Sequence, residues 1–110
     1  MNNSFEKLAN LDRLVHEPAR LAILTALSAV ENADFLFLQR LTGLTAGNLS
    51  AHLAKLVEAG FVSIDKQWSG KRTNTTVWIT PAGSQAVTRH WEKLDSIRKD
   101  IFPGKPQTDK

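Results

Sequence analysis

Asn48, His52 and Lys55 share one side of a helix predicted over residues 45–59, and their side chains suit contact with a nucleic acid. Amide and imidazole groups can hydrogen-bond to base edges, and an ammonium group pairs with phosphate. Gly47 and Ala51 lie on the same side, where small side chains would permit close approach of a large partner. The alternative is that these residues only face solvent. The candidate contact residues of this helix are Thr45, Ala46, Gly47, Asn48, Ser50, Ala51, His52 and Lys55.

A second set of candidate contacts lies in a predicted β-hairpin. Apolar and polar side chains alternate on both sides of a polar segment that contains Gly70, which is the pattern of two strands joined by a turn. The adjacent cations Lys71 and Arg72 are expected near the tip of the hairpin, and Lys66 is expected near its base. All three could meet phosphates. A hairpin tip that is merely solvated is the alternative.

The residues needed for catalytic chemistry are missing. The chain contains no cysteine, and it has neither a glycine-rich phosphate loop nor a recognisable Ser/His/acid set. Asp12 and His16 are four residues apart and His90 lies near Glu92, which would allow a metal site at an interface. We instead expect His16 to cap the first helix and His90 to lie at a half-buried edge of the core. The sequence therefore predicts no enzyme, no catalytic residue, no metal and no cofactor.

The elements that must position these residues follow from hydrophobic periodicity and from capping residues. Asn3 and Glu6 have the spacing of a capping box at the start of the first helix, and Pro18 suits the first turn of the second. Gly60 suits a left-handed cap after the helix that carries Asn48. After Gly60 the apolar period falls from about 3.6 residues to about 2. Helices are predicted over residues 4–15, 18–30, 35–41, 45–59 and 81–102, with the hairpin before the last.

This order of elements predicts a mainly α fold with a β-hairpin (α+β), namely a winged helix-turn-helix with additional N- and C-terminal helices. In that arrangement the helix over residues 45–59 enters the major groove of DNA. The hairpin segment 66–75 forms the wing, which contacts the backbone or the minor groove. A chain of 110 residues suits one domain. We place that domain at residues 1–102 and predict a flexible tail at 103–110.

Charge and composition agree with a nucleic-acid partner. The net charge is +3, and the positive excess lies in the second half of the chain. Residues 45–80 hold four Lys/Arg against two Asp/Glu, whereas residues 1–44 hold four against five. No apolar run is long enough to span a bilayer, so we predict no membrane partner. Together with the lack of cysteine, this favours a cytoplasmic protein.

Residues 41–83 resemble the MarR/ArsR-like winged-helix transcriptional regulators. The segment Gly-Asn-Leu-Ser-Ala-His-Leu at 47–53 is similar to the recognition helix of the small stand-alone members, and the segments at 56–62 and 80–83 also match. The resemblance implies a homodimeric, DNA-binding repressor or activator whose terminal helices, 4–15 and 81–102, form the dimer interface. A symmetric dimer places two recognition helices about 34 Å apart, which predicts an inverted-repeat operator. An unknown small-molecule effector is a further possible partner.

The terminal helices carry apolar residues at helical spacing that could form this dimer interface. Val87, Leu94 and Ile101 recur every seven residues in the last helix. The alternative is that the last helix packs on the first within one chain, and both arrangements can hold together. The predicted interface residues are Phe5, Leu8, Leu11, Val87, Trp91, Leu94, Ile97 and Ile101.

Four apolar residues have no evident part in DNA contact. Leu36 and Phe37 occupy positions that are usually polar in the family, so the short helix is unusually apolar. We interpret them as additional core; a neighbouring subunit or a ligand pocket are the alternatives. The same apolar segment motivates the alternative function, a winged helix that binds another protein and not DNA. We expect Trp68 and Trp78 to pack on the hairpin and not to stack on bases.

Overall fold

The computed structural model describes residues 3–104, with the exception of the side chain of Arg72, and it has the predicted α+β winged-helix architecture. Residues 105–110 of the predicted tail lie outside the described part of the chain. The helices are α1 Ser4–Ala9, α2 Arg13–His16, α3 Pro18–Ser28, α4 Phe35–Thr42, α5 Ala46–Glu58 and α6 Pro81–Ile101. The strands are β1 Ala33–Asp34, β2 Val62–Ser69 and β3 Arg72–Ile79.

The prediction of one continuous helix over residues 4–15 is wrong. Asn3 and Glu6 form the expected capping box, but α1 ends at Ala9. The side-chain amide of Asn10 donates to the carbonyl of Glu6, and the carboxylate of Asp12 accepts from the backbone N–H of Leu14 to begin α2. Asn and Asp compete in this way for backbone groups that a helix would otherwise pair. The apolar period continues across the break, and therefore periodicity alone did not indicate it.

A short strand that the sequence analysis did not predict completes the sheet. Ala33 pairs with Val77 and Asp34 with Thr76, which gives the antiparallel order β1-β3-β2. A strand of two residues is too short to show an alternating pattern. Asp34 also caps α4, since its carboxylate accepts from the backbone N–H of Phe37 at 2.7 Å. The strand therefore fixes the start of the helix-turn-helix on the sheet.

The hairpin is longer and more regular than predicted. The polar segment between the alternating residues is not a loop, because the strands stay paired as far as Ser69 and Arg72. Only Gly70 and Lys71 form the turn, and Gly70 has a φ of +64°. Glycine adopts this left-handed conformation at little cost. Lys71 is thereby held at the tip of a stiff ladder.

The junction between α5, β2 and α6 is fixed by residues 60–83. Gly60 has a φ of +80°, and its N–H donates to the carbonyl of Val57 while that of Phe61 donates to Leu56, as in a Schellman motif. The Thr80 hydroxyl donates to the carbonyl of Gly60 at 2.6 Å and also accepts from the N–H of Gly83. A side chain at Gly83 would collide with the carbonyl oxygen of Phe61. This close approach explains the glycine.

Candidate nucleic-acid interface

Helix α5 has one buried side and one side that is accessible at most positions. Leu49, Leu53 and Leu56 are at most 2% exposed and form part of the core. Thr45 caps the helix, and its hydroxyl accepts from the backbone N–H of Asn48 at 3.1 Å. We name the accessible side the outward face of α5. Its exposed residues are Thr45, Ala46, Gly47, Asn48, Ser50, Ala51, Lys55 and, at the last residue of the helix, Glu58.

Gly47 lies in open space on this face. Apart from its chain neighbours and the backbone of its own helical turns, a Cβ atom added there would meet no atom of the described residues within 4 Å. Packing within residues 3–104 therefore does not require a glycine at this position, in contrast to Gly83. Glycine costs about 1 kcal/mol relative to alanine in a helix interior, which is an upper bound for this position in the first turn. The absence of an internal reason for this cost is consistent with a partner that approaches the backbone here.

His52 is held by the start of α3 and is less accessible than the sequence predicted. Its side chain is 22% exposed, and its Nδ1 lies 3.2 Å from Nη1 of Arg20 and 3.8 Å from Oε1 of Glu17. Because a guanidinium group only donates, Nδ1 accepts, and a neutral His52 then carries its proton on Nε2. Glu17 also caps α3 by accepting from the backbone N–H of Arg20. The ring is thereby oriented with Nε2 as its free donor.

The hairpin has two faces of different charge. Strand alternation and the pairing of Lys66 with Thr75 place Lys66 on the same face as the buried residues Val62 and Val77. Asp65 lies on the opposite face, where its carboxylate accepts from the amide of Gln67 at 3.1 Å. We name the first side the inner face of the hairpin. It comprises Val62, Ile64, Lys66, Trp68, Thr73, Thr75, Val77 and Ile79.

The inner face of the hairpin adjoins α5. A recess of about 370 Å³ lies between Ser50 and Ala54 of α5 and Lys66 and Thr75 of the hairpin, with Phe35 also in its wall. Lys66 and Lys71 are exposed, and the side chain of Arg72 lies outside the described part of the chain. Of the predicted contact residues, Ser50 of α5 and Lys66 at the wing base thus lie beside the same recess.

The two tryptophans of the hairpin differ in their surroundings. Trp78 is 37% exposed, which agrees with partial packing on the hairpin. Trp68 is 74% exposed, so its predicted packing on the hairpin is wrong. It pairs with Thr73 near the tip, where the hairpin extends beyond the buried residues Val62 and Val77. Sequence reasoning missed Trp68 as an accessible side chain because strand length was underestimated.

The apolar segment of α4 is not additional core. Leu38 is buried and Phe35 packs partly on the core, but Leu36 is 59% exposed and Phe37 46%. Leu41, one turn after Phe37, is 56% exposed. Our interpretation of Leu36 and Phe37 as core residues is therefore wrong, because the helix presents only one narrow side to the core.

The predicted dimer residues fall into buried and accessible groups. Leu11, Val87 and Ile97 are between 2% and 7% exposed within a single chain. They pack between the terminal helices and the core of that chain, so the intramolecular alternative holds for them. Leu94 and Ile101 are half-buried. The exposed members are Phe5 at 68%, Leu8 at 44% and Trp91 at 47%.

Two histidines distant in sequence meet between α2 and α6. Nδ1 of His16 and Nε2 of His90 are 2.9 Å apart, and His90 is only 5% exposed. His90 is therefore buried and not at a half-buried edge as predicted, and His16 contacts α6. Burial lowers the pKa of His90, as do the neighbouring His16 and Lys93, while Asp12 opposes the shift. Among residues 3–104 no group of three or more possible metal ligands occurs.

None of the helices in the described part of the chain is long and apolar enough to cross a membrane.

Comparison with known proteins places the chain among regulators of transcription. The family model described as a winged helix DNA-binding domain matches residues 19–108. An uncharacterized protein of Methanocaldococcus jannaschii is 33% identical over 89 residues, which cover 81% of this chain and 97% of that protein. The structure of a transcriptional regulator homologue from Pyrococcus horikoshii OT3 aligns with a TM-score of 0.79 and 26% identity, covering 89% of this chain and 96% of that one.

A MarR-family transcriptional regulator from Silicibacter pomeroyi shares the fold. It aligns with a TM-score of 0.63 and 22% identity, covering 94% of this chain and 69% of that one. The predicted winged-helix DNA-binding family is confirmed, and the resemblance to MarR-like regulators is confirmed at the level of the fold.

Proposed function

The chain belongs to the winged helix DNA-binding domain family, and from this premise we propose that it is a homodimeric, sequence-specific transcriptional regulator. In the proposed complex the outward face of α5 enters the major groove of an operator. The hairpin segment 66–75, the wing, lies along the adjacent backbone or minor groove. The binding of a small-molecule effector is a prediction from the sequence that is still untested.

The observation that carries the proposal is the accessibility and charge of the outward face of α5. Residues 45–57 contain no acidic side chain, and Glu58, the final residue of α5, is the first one. An ordinary solvated helix face carries acidic residues among its lysines, which phosphate would repel. Lys66 on the inner face of the hairpin and Lys71 at its tip add two exposed cations on the element next to α5. Both elements can therefore approach a polyanion together.

Each residue on this face has a role that its chemistry suits. The N-terminal N–H groups of α5, at Ala46 and Gly47, suit a phosphate because they lack helical partners. Asn48 and Ser50 can hydrogen-bond to base edges. Lys55 lies more than two turns into the helix and can pair with a phosphate. His52 adds the Nε2–H donor that its contact with Arg20 leaves free.

The proposed dimer uses the accessible part of the terminal helices. Phe5, Leu8 and Trp91 are exposed apolar side chains on α1 and α6, and Phe102 at the end of α6 is 63% exposed. Exposed apolar groups of this size favour association. A twofold axis through these helices would set two α5 helices about 34 Å apart for an inverted repeat.

Binding to DNA fragments selected from the source genome tests the proposal. We expect the protein to prefer a recovered inverted repeat over a shuffled duplex of the same composition, with an affinity that falls steeply with salt. Replacing Asn48 with Ala should reduce this preference, and replacing Lys55 with Ala should weaken binding to both duplexes. Glu92→Ala, an exposed change on α6, is the control. Equal affinity for both duplexes would contradict sequence specificity.

A second candidate function is a winged helix that binds another protein. The exposed side chains of Leu36, Phe37 and Leu41 on α4 favour it. This function predicts no measurable affinity for DNA at low salt, and a partner that buries Phe37. The same binding series therefore separates the two functions.

A further inference from the structure

Trp68 is the most exposed large apolar side chain of the described residues, at 74%. It lies in a hairpin and not at a chain terminus, and the paired strands continue beyond it to Ser69 and Arg72. Its backbone is therefore held in a regular ladder, although its indole ring is open to solvent. A large apolar ring in water is unfavourable, and a position where the backbone is ordered suits a contact surface.

The direction of Trp68 follows from the strand register. Val62, Ile64, Lys66 and Trp68 alternate along the inner face of β2, and Val62 is buried. Lys66 also lines the recess between the hairpin and α5. Trp68 therefore lies on the side of the hairpin that faces α5. It is four residues beyond Ile64, or roughly 13 Å further along the strand at about 3.3 Å per residue.

Charge around Trp68 identifies the kind of partner. Among the described side chains, the ionisable neighbours on the inner face and at the tip are the cations Lys66 and Lys71. The acid of β2, Asp65, lies on the opposite face, with Gln67 bonded to it. A surface that pairs an exposed indole with lysines suits a polyanion that also offers apolar surface. The sugars and phosphates along a DNA groove have both properties.

We propose that Trp68 contacts the DNA that flanks the major groove occupied by α5, with its ring on deoxyribose and its Nε1–H directed at a phosphate oxygen or a minor-groove acceptor. This inference rests on the proposed function. Indole suits such a site because one end is apolar and the other is a hydrogen-bond donor. Trp68 would then position the wing, a contribution that differs in kind from the charge of Lys71.

Tryptophan fluorescence provides the first test. In a chain with Trp78→Phe and Trp91→Phe, whose fold and oligomeric state are checked by circular dichroism and sedimentation, Trp68 is the single indole. On addition of a mixed-sequence duplex at low salt we expect its emission to shift to the blue and acrylamide quenching to fall several-fold. Quenching that is unchanged in the bound complex would overturn the inference.

Substitution in the otherwise unchanged chain provides the second test. Trp68→Ala should weaken binding about tenfold, near the lower end of the range for removal of an aromatic side chain stacked on a nucleic acid. Trp68→Phe should restore part of the loss, and Gln67→Ala on the opposite face is the matched control. The dependence on salt should not change, because indole carries no charge, whereas Lys71→Ala should reduce the slope.

The two failures are distinguishable. If the wild-type chain binds no duplex even at low salt, both the proposed function and this inference are overturned. If the wild-type chain binds duplex, but Trp68→Ala binds as tightly as wild type and Trp68 stays open to acrylamide, the inference alone is overturned and the function stands.

Discussion

The outward face of α5 and the apolar side of α6 were both predicted to be interaction surfaces, but in the structure they differ in how much of each is exposed to solvent. On α5 the small and polar positions other than His52 are exposed. On α6, Val87 and Ile97 are buried within the chain, whereas Trp91 is accessible. The two predictions used different signals, and that difference explains the result.

Apolar periodicity shows which side of a helix avoids water, but not whether the same chain or another chain covers it. Val87, Leu94 and Ile101 have the same spacing, yet Val87 is core while the other two are half-buried. Small and polar residues without acids carry a different signal. Such residues contribute little to a hydrophobic core, and the side of the helix that carries them is therefore exposed to solvent. The exception is a position that a polar group covers, as Arg20 and Glu17 cover His52.

The largest predicted effect is a loss of stability on substitution of Ile97, which distinguishes the buried residues of α6 from the accessible ones. Ile97→Ala should lower the free energy of unfolding by about 2–5 kcal/mol, since the side chain is 3% exposed and leaves a cavity. Trp91→Ala should cost much less stability, but it should shift the chain from dimer to monomer in sedimentation. Equal destabilisation by the two variants in urea would contradict the division into buried and accessible groups.

Two glycines give the next contrast. Gly83→Ala should destabilise the fold by about 1–3 kcal/mol, because the new methyl group collides with the Phe61 carbonyl. Gly47→Ala meets no described neighbour and should stabilise α5 by up to about 1 kcal/mol, while it weakens DNA binding. Thermal unfolding should therefore show a lower melting temperature for Gly83→Ala and a higher one for Gly47→Ala than for the wild-type chain. A loss of stability in Gly47→Ala would show that the glycine has an internal role.

A smaller effect is expected for Lys71 at the hairpin tip. Lys71→Ala should weaken binding to all duplexes alike and should reduce the slope of log affinity against log salt by about 1. Lys99→Ala is the control, because Lys99 lies on α6 and pairs with Asp95 at 3.1 Å. An unchanged slope in Lys71→Ala would show that the tip of the wing does not contact DNA phosphates.

The smallest effect is a pH dependence at the junction of α2 and α6. Because the pKa of His90 is lowered in the folded chain, the unfolded chain binds this proton more readily. Stability should therefore be constant above the unfolded pKa near 6.5 and should fall as the pH drops from there to the lowered value. His90→Gln should show a shallower decline in urea midpoints. Stability that rises on acidification would reverse the sign and contradict the account.

Much of the fold could be predicted because capping residues and periodicity act locally. Thr45, Gly60 and Thr80 mark helix ends through their own hydrogen bonds and φ angles, and the structure confirms all three. The break after Ala9 and the strand Ala33–Asp34 could not be predicted with the same rules. They depend on competition between side-chain and backbone hydrogen bonds, and on a pairing with residues more than forty positions away.

The candidate site could be predicted in composition but not in all its contacts. The exposed positions of α5 follow from one helical wheel. The contact of His52 with Glu17 and Arg20, and that of His16 with His90, join elements distant in sequence. Single-chain periodicity carries no information on such pairs. The exposure of Trp68 likewise depends on how far the hairpin extends beyond the core.

The central claim is that the outward face of α5 and the wing, and not the terminal helices, meet DNA. Acetylation of lysines in the wild-type chain, measured by mass spectrometry with and without a saturating duplex, tests it without any substitution. Lys55 and Lys71 should react several-fold more slowly in the complex, while Lys93 and Lys99, which are exposed on α6, should react as in the free protein. Slower reaction of Lys93 and Lys99, with Lys55 and Lys71 unaffected, would contradict the account.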